Sequence, residues 1–160
     1  MLQRKSLTKE QALQKLKHYC GYQEHCHSEV REKLFQLGVR RSDHDEIISK
    51  LIEENYLNEE RFAVAFARGK FRMNQWGRVK IKAALKQKKI SDYCINKGLK
   101  QINENDYLQL LKRLTEKRYA SLKNEQYLVR KKKTIDYLLQ RGFEWELVKN
   151  VLEEAMSNNS

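Results

Sequence analysis

Apolar residues recur along this chain at helical spacing and nowhere alternate with polar ones as a half-buried strand would require. The apolar runs fall into sets of three. Each set opens with a longer run: Leu13 and Leu16, then Phe62, Ala63 and Phe66, then Leu108, Leu111 and Leu114. A second run follows, in which a leucine stands five residues before another apolar residue: Leu34 and Val39, Leu85 and Ile90, Leu138 and Phe143. A short amphipathic run closes each set: Ile47, Ile48, Leu51 and Ile52, then Ile95, Leu99 and Ile102, then Leu147, Val148, Val151 and Leu152. The central leucines Leu34, Leu85 and Leu138 lie 51 and 53 residues apart. A period of that length predicts three copies of a three-helix unit.

Polar residues able to cap a helix precede these runs. Thr8 and Gln11 have capping-box spacing, and Ser28, Ser42 with Asp45, Asn58, Ser91 and Asn103 each stand before an apolar stretch. With no proline and only 6 glycines, little stops a helix from continuing. The expected fold is all-α: an elongated tandem array of three three-helix repeats, each resembling a helix-turn-helix unit. The predicted boundaries are residues 1–57, 58–103 and 104–156, with a disordered tail at 157–160. A unit of this size buries too little of its own apolar face, and stacking against a neighbour supplies the rest. Gly38 and Gly142 suit the left-handed residue that ends a helix, whereas Lys89 stands at the same place with a side chain that conformation tolerates poorly.

Composition adds a large solvated surface, since 34% of residues are charged against about 25% in an average domain. No apolar stretch approaches the roughly 18 residues of a membrane span, and the amino terminus lacks a secretory pattern, so a cytoplasmic protein with no membrane partner is expected. Three cysteines without an export signal predict reduced thiols.

The location of charge changes the picture more than its total of +12. Residues 1–60 hold 10 Lys and Arg against 11 Asp and Glu, residues 61–100 hold 12 against 1, and residues 101–160 hold 11 against 9. One forty-residue block therefore carries nearly the whole imbalance, as a face that docks on phosphates or an acidic partner would.

Within it, residues 76–90 read as one helix with Arg78, Lys82, Lys86 and Lys89 in a stripe about 80° wide and Lys80 off it. Each like-charged i,i+4 pair costs roughly 0.2–0.5 kcal/mol, so the stripe is a liability without an anionic partner. Ile81 and Leu85 flank one edge, and Val79, Ala83 and Ile90 the other, which leaves open the edge that is buried. The preceding helix adds Arg68, Lys70 and Arg72, with Trp76 as the aromatic placed to stack on a base or to wedge between repeats. A second basic run at 130–133 puts Arg130 and Lys133 on one face.

Other chemistry is weakly signalled. His18, Cys20, His25, Cys26 and His27 cluster without metal-ligand spacing, so no metal is expected. The tyrosines, spread over every repeat, read as packing. No phosphate-cradling loop, nucleophile elbow or paired carboxylates with shared direction are present, and neither catalysis nor a cofactor is expected.

The segment 51–71, LIEENYLNEERFAVAFARGKF, together with WGRVKIKAALKQKKI at 76–90 and SEVREKLFQLGV at 28–39, resembles the RecX family of recombination regulators. His25 stands where that family commonly has arginine, and YLNEERFA at 56–63 replaces the frequent YLDDERFA. The resemblance implies a helical repeat protein without a catalytic centre. It also implies a partner, the filament that the RecA recombinase forms on single-stranded DNA, whose ATPase, strand-exchange and coprotease activities such proteins restrain. A monomer lying in the filament groove is expected, touching single-stranded DNA, with duplex DNA as the further option. The competing readings are a stand-alone nucleic-acid-binding module and a purely protein-binding adaptor.

Overall fold

The structure is a computed structural model that describes residues 7–158, which hold nine α-helices and no strand. Three groups of three follow one another: α1 (Lys9–Tyr22), α2 (His27–Gln36) and α3 (Arg41–Glu53); α4 (Glu59–Asn74), α5 (Arg78–Gln87) and α6 (Asp92–Lys100); α7 (Glu104–Ser121), α8 (Tyr127–Gln140) and α9 (Trp145–Asn158). The closest packing is internal to each group: α3 lies against α1 and α2, α4 against α5 and α6, and α7 against α8 and α9. The chain exposes 10902 Å², whereas a compact monomer of its mass would expose about 8,400 Å². The excess is that of a tandem array.

Caps show how local sequence places the helix starts. Thr8 and Gln11 form the reciprocal capping box of α1, and Asn58, Ser91 and Asn103 each accept from a backbone N–H of the turn they precede. Ser28 and Ser42 are not caps. The chain enters α2 at Cys26 and α3 at Arg40, two residues earlier than the serine pattern predicts. Glu29 bonds back to the Cys26 N–H, and this frees the Ser28 hydroxyl to donate to the Lys88 carbonyl of the next repeat. α9 continues through Asn158, so residues 157 and 158 of the expected tail are helical. Residues 159–160 of that tail, like residues 1–6 of the first unit, lie outside the described residues.

The left-handed turn after the second helix recurs in all three repeats, at Gly38 (φ 73°), Lys89 (φ 63°) and Gly142 (φ 92°). A left-handed non-glycine residue costs about 1–2 kcal/mol, and glycine gives back about 0.5–1 kcal/mol of that as unfolded-chain entropy. Lys89→Gly is therefore expected to stabilise the protein by about 0.5–1 kcal/mol. The check is a raised urea midpoint at unchanged m.

Two cores form. Ala12, Leu16, Val30, Leu34, Ile47 and Leu51 close the first repeat on itself. A second core runs continuously through the other two, from Phe62, Ile81 and Leu85 to Tyr107, Leu138 and Phe143. Between repeats, contact is made by the ends of the middle helices. The start of α2 meets the end of α5, where Ser28 donates to Lys88 O at 2.9 Å, Lys88 pairs with Glu29 at 3.0 Å and the His27 N–H reaches Glu59 at 3.0 Å. The start of α5 meets the end of α8 in the same way. Gly77 N–H donates to Arg141 O at 2.7 Å, and Val79 N–H to Gly142 O at 2.9 Å. Orphan donors of one helix start are thus satisfied by orphan carbonyls of another helix end.

Acid should open both junctions. Burial opposes the charge of Glu29, and its bonds to Lys88 and the Cys26 N–H outweigh that effect. The Arg78 hydrogen bond likewise holds Glu104 below the ordinary 4.5. A carboxylate whose folded pKa is depressed stabilises fully above its unfolded pKa, and the contribution fades as pH falls through the folded value. Stability should hold above about pH 5 and fall progressively below 4.5. A pH series of urea melts reads the change.

Candidate nucleic-acid interface

The basic block is built on the α4–α5 hairpin. α4 ends at Gln75, whose left-handed backbone (φ 57°) turns the chain and lets the Trp76 N–H bond back to Lys70 O at 3.1 Å. Gly77 caps α5, and the turn sets Trp76 beside two ammonium groups. Lys70 Nζ stands 4.9 Å from the indole centroid and Lys80 Nζ 4.5 Å from it. Lys70 also lies 5.5 Å from the Phe66 ring. Cation–π contacts of this kind are worth about 0.5–1 kcal/mol when exposed, and they hold the charges in place.

Trp76 stands at one end of a groove of about 620 Å³. One wall is the α4 face carrying Phe62, Phe66 and Lys70; the other is the α5 face carrying Ala84, Gln87 and Lys88, with Glu24 and Glu29 of the first repeat at its margin. Those carboxylates are already paired, Glu24 with Arg61 and Glu29 with Lys88. In sequence Phe62 and Phe66 are members of the apolar run of one helix. The signal was available, because Phe62, Phe66 and Lys70 share one helical face at i, i+4 and i+8, as do Lys80, Ala84 and Lys88.

Ile81 and Leu85 are fully buried whereas Val79 is 53% exposed, so the Ile81 edge of α5 faces the core. Lys82 and Lys86 point to solvent from the opposite side, and they and exposed Lys89 meet no carboxylate among the described residues. α5 ends at Gln87 and Lys89 is left-handed, so the stripe drawn on one continuous helix from 76 to 90 does not extend to Lys89.

Arg78 departs from the stripe altogether. Its guanidinium pairs with Glu104 at 2.7 Å and Glu144 at 2.9 Å and lies 3.9 Å from the centre of the Tyr107 ring. Tyr107 donates to Glu144 and accepts from the Arg78 N–H. Burial works against the Arg78 charge, but the Glu104 hydrogen bond and the field of Glu144 outweigh it and raise its pKa. Burial, then the bond to Glu144, holds the Tyr107 phenol protonated. This arginine joins the second repeat to the third.

The remaining predicted residues divide similarly. Arg68 and Arg72 are exposed and have no carboxylate partner among the described residues, and Arg72 lines a shallow groove with Arg113, Gln75 and Gln109. Arg130 folds 3.5 Å over Tyr119 and donates to its carbonyl at 2.8 Å, and Lys133 pairs with Glu125 at 2.6 Å. In that run Arg130, Lys131 and Lys132 meet no carboxylate among the described residues, and Lys131 and Lys132 also lack the ring contact that holds Arg130. Three members of the histidine and cysteine cluster pack inward: His25 stacks on Tyr19 at 3.8 Å, Cys20 and Cys26 are buried, and burial pushes the Cys20 thiol up to about 11. His18 is exposed, and His27 faces Glu59 at 3.5 Å. No group of three or more metal-ligating side chains assembles among the described residues, and no helix among them is long and apolar enough to cross a membrane.

A stacked array of three-helix units carrying an uncompensated basic face defines a class of helical repeat protein. Family models narrow that class: residues 58–99 match the second three-helix domain of RecX, and residues 104–152 match the third. The regulatory protein RecX of Pelodictyon phaeoclathratiforme is 32% identical over 82% of this chain and 81% of its own length. That of Bacillus cytotoxicus is 29% identical over 85% of this chain. The chain belongs to the RecX family of regulatory proteins. It spans about half the length of the Bacillus relatives, 50% in the case of Bacillus cytotoxicus. Its fold is similar to that of the crystal structure of RecX from Lactobacillus salivarius, with a TM-score of 0.82, 24% identity, and coverage of 92% of this chain and 96% of the other.

Proposed function

We propose that this chain is a non-enzymatic regulator that binds the RecA recombinase filament on single-stranded DNA and restrains its ATPase, strand-exchange and coprotease activities. Recombination, repair and the SOS response in the cytoplasm would be modulated in consequence. The observation that carries this reading is the exposed charge of the α4–α5 hairpin: Lys82, Lys86 and Lys89 have no internal counter-charge, and Lys70 and Lys80 stand beside Trp76 at the end of a groove walled by Phe62 and Phe66. Single-stranded nucleic acid is held by that combination, cations tracking the phosphates and aromatic faces meeting bases. Seated along the filament groove, a rigid pair of stacked repeats would bridge neighbouring subunits and oppose the cycling that ATP hydrolysis requires.

The aromatic groove also favours a second reading, a nucleic-acid-binding module that acts without the recombinase. Binding of labelled chain to bare single-stranded DNA and to filament on the same DNA separates the two. The filament reading expects affinity for the filament at least tenfold higher, about 1.4 kcal/mol. Equal affinity supports the stand-alone module.

A further inference from the structure

The first repeat presents a different surface. Its charges nearly balance, with 10 Lys and Arg against 9 Asp and Glu in residues 1–57, yet Tyr22 is 86% exposed at the end of α1, the most exposed large hydrophobic side chain among the described residues. Tyr22 forms a ridge between two depressions. One, about 530 Å³, has Tyr19, Tyr22 and Leu37 as its apolar lining and Lys15 and Lys33 as charged members; the other, about 550 Å³, runs between Tyr22 and Tyr56. Lys15 and Lys33 have no carboxylate partner among the described residues, and Lys33 Nζ lies 5.4 Å from the Tyr19 ring. Exposed tyrosine rings are enriched at protein interfaces because they supply large contact area at small entropy cost, and the lysines stand where a polar rim would.

We propose that this face docks a protein segment that presents an aliphatic or aromatic side chain flanked by carboxylates. The apolar side chain would enter the first depression, its carboxylates would meet Lys15 and Lys33, and the segment would continue over Tyr22 into the second depression. A nucleic acid fits this face less well, because two lysines beside an apolar depression match one short acidic segment rather than a run of phosphates, and the first sixty residues hold 10 cations against 11 acids. The proposal rests on the function proposed above, in which the segment belongs to the recombinase. The chain then divides its work: phosphates on the second repeat, recombinase protein on the first.

The test uses the full chain, filament assembled on single-stranded DNA, and the same DNA alone. Tyr22→Ser removes the ridge, Lys15→Glu with Lys33→Glu reverses the flanking charges, and Gly21→Glu fills the second depression, where an added Cβ meets nothing within 4 Å. Each should weaken filament binding tenfold or more while leaving affinity for DNA alone within twofold of wild type. Filament binding equal to wild type in all three overturns the proposal and leaves the regulator reading intact, whereas a wild-type chain that fails to bind filament removes that reading first. Equal loss on DNA alone assigns the face to nucleic acid, and Tyr22→Ser that alters only the sedimentation of the free chain assigns it to self-association; either overturns the proposal. Because Tyr22 and Gly21 lie on the surface, unchanged thermal melts are expected.

Discussion

Gly77→Ala should lower the stability of the second and third repeats by about 3 kcal/mol or more and uncouple them from each other. A Cβ at Gly77 would stand 2.3 Å from the Gly142 carbonyl oxygen and 2.5 Å from the Phe143 nitrogen, both backbone atoms that no rotamer change can move. Relief requires the start of α5 to withdraw from the end of α8. That movement would break the Gly77 to Arg141 and Val79 to Gly142 hydrogen bonds and pull Arg78 from Glu104 and Glu144. Gly38→Ala provides the contrast. Its φ of 73° is left-handed, unlike the −79° of Gly77, but nothing lies within 4 Å of the added carbon, so the cost should be only about 1 kcal/mol of backbone strain. Both tryptophans, Trp76 and Trp145, lie in the second and third repeats. Tryptophan fluorescence should therefore show an early transition for Gly77→Ala while far-ultraviolet circular dichroism retains a later phase from the first repeat. Coincident, unshifted transitions would mean that the junction tolerates separation.

The second large effect concerns binding. Lys82→Glu with Lys86→Glu places two negative charges where exposed ammonium groups stand unpaired, and should weaken binding to single-stranded DNA about a hundredfold at low salt. Each lost phosphate contact should also reduce the slope of log affinity against log salt by about 0.7. Folding should be unaffected or slightly improved, because the i,i+4 repulsion across α5 is unchanged in form and no internal partner is lost. Arg78→Ala should behave oppositely, destabilising the junction by about 2–3 kcal/mol with a smaller effect on the salt slope. Titrations of both variants at several salt concentrations distinguish a charge that meets DNA from one that joins repeats. Unchanged affinity in the double lysine variant would favour a purely protein-binding adaptor.

Periodicity along the chain was sufficient for the fold, since the 51- and 53-residue steps, the glycines that end helices and four of the six caps are local signals. Ser28 is not a cap because α2 already starts at Cys26, which leaves its hydroxyl to donate to a carbonyl sixty residues away, a contact that no local window contains. The same limit governs the site. Arg78 and Lys82 look alike on a helical wheel, but acids 26 and 66 residues distant neutralise the first and spare the second. The left-handed Lys89 breaks the wheel itself. Phe62 and Phe66 looked like core residues and are partly that, with Phe62 5% exposed; the groove along them exists only because α5 faces α4 across the Gln75 turn.

The most direct measurement is DNA-stimulated ATP hydrolysis by the cognate recombinase as this chain is added below one copy per subunit. If the basic repeats clamp neighbouring subunits, hydrolysis falls steeply at low ratios, and Lys82→Glu with Lys86→Glu shifts the curve to much higher concentration. Inhibition that begins only when enough chain is present to coat the DNA, or none at any ratio, would contradict the account.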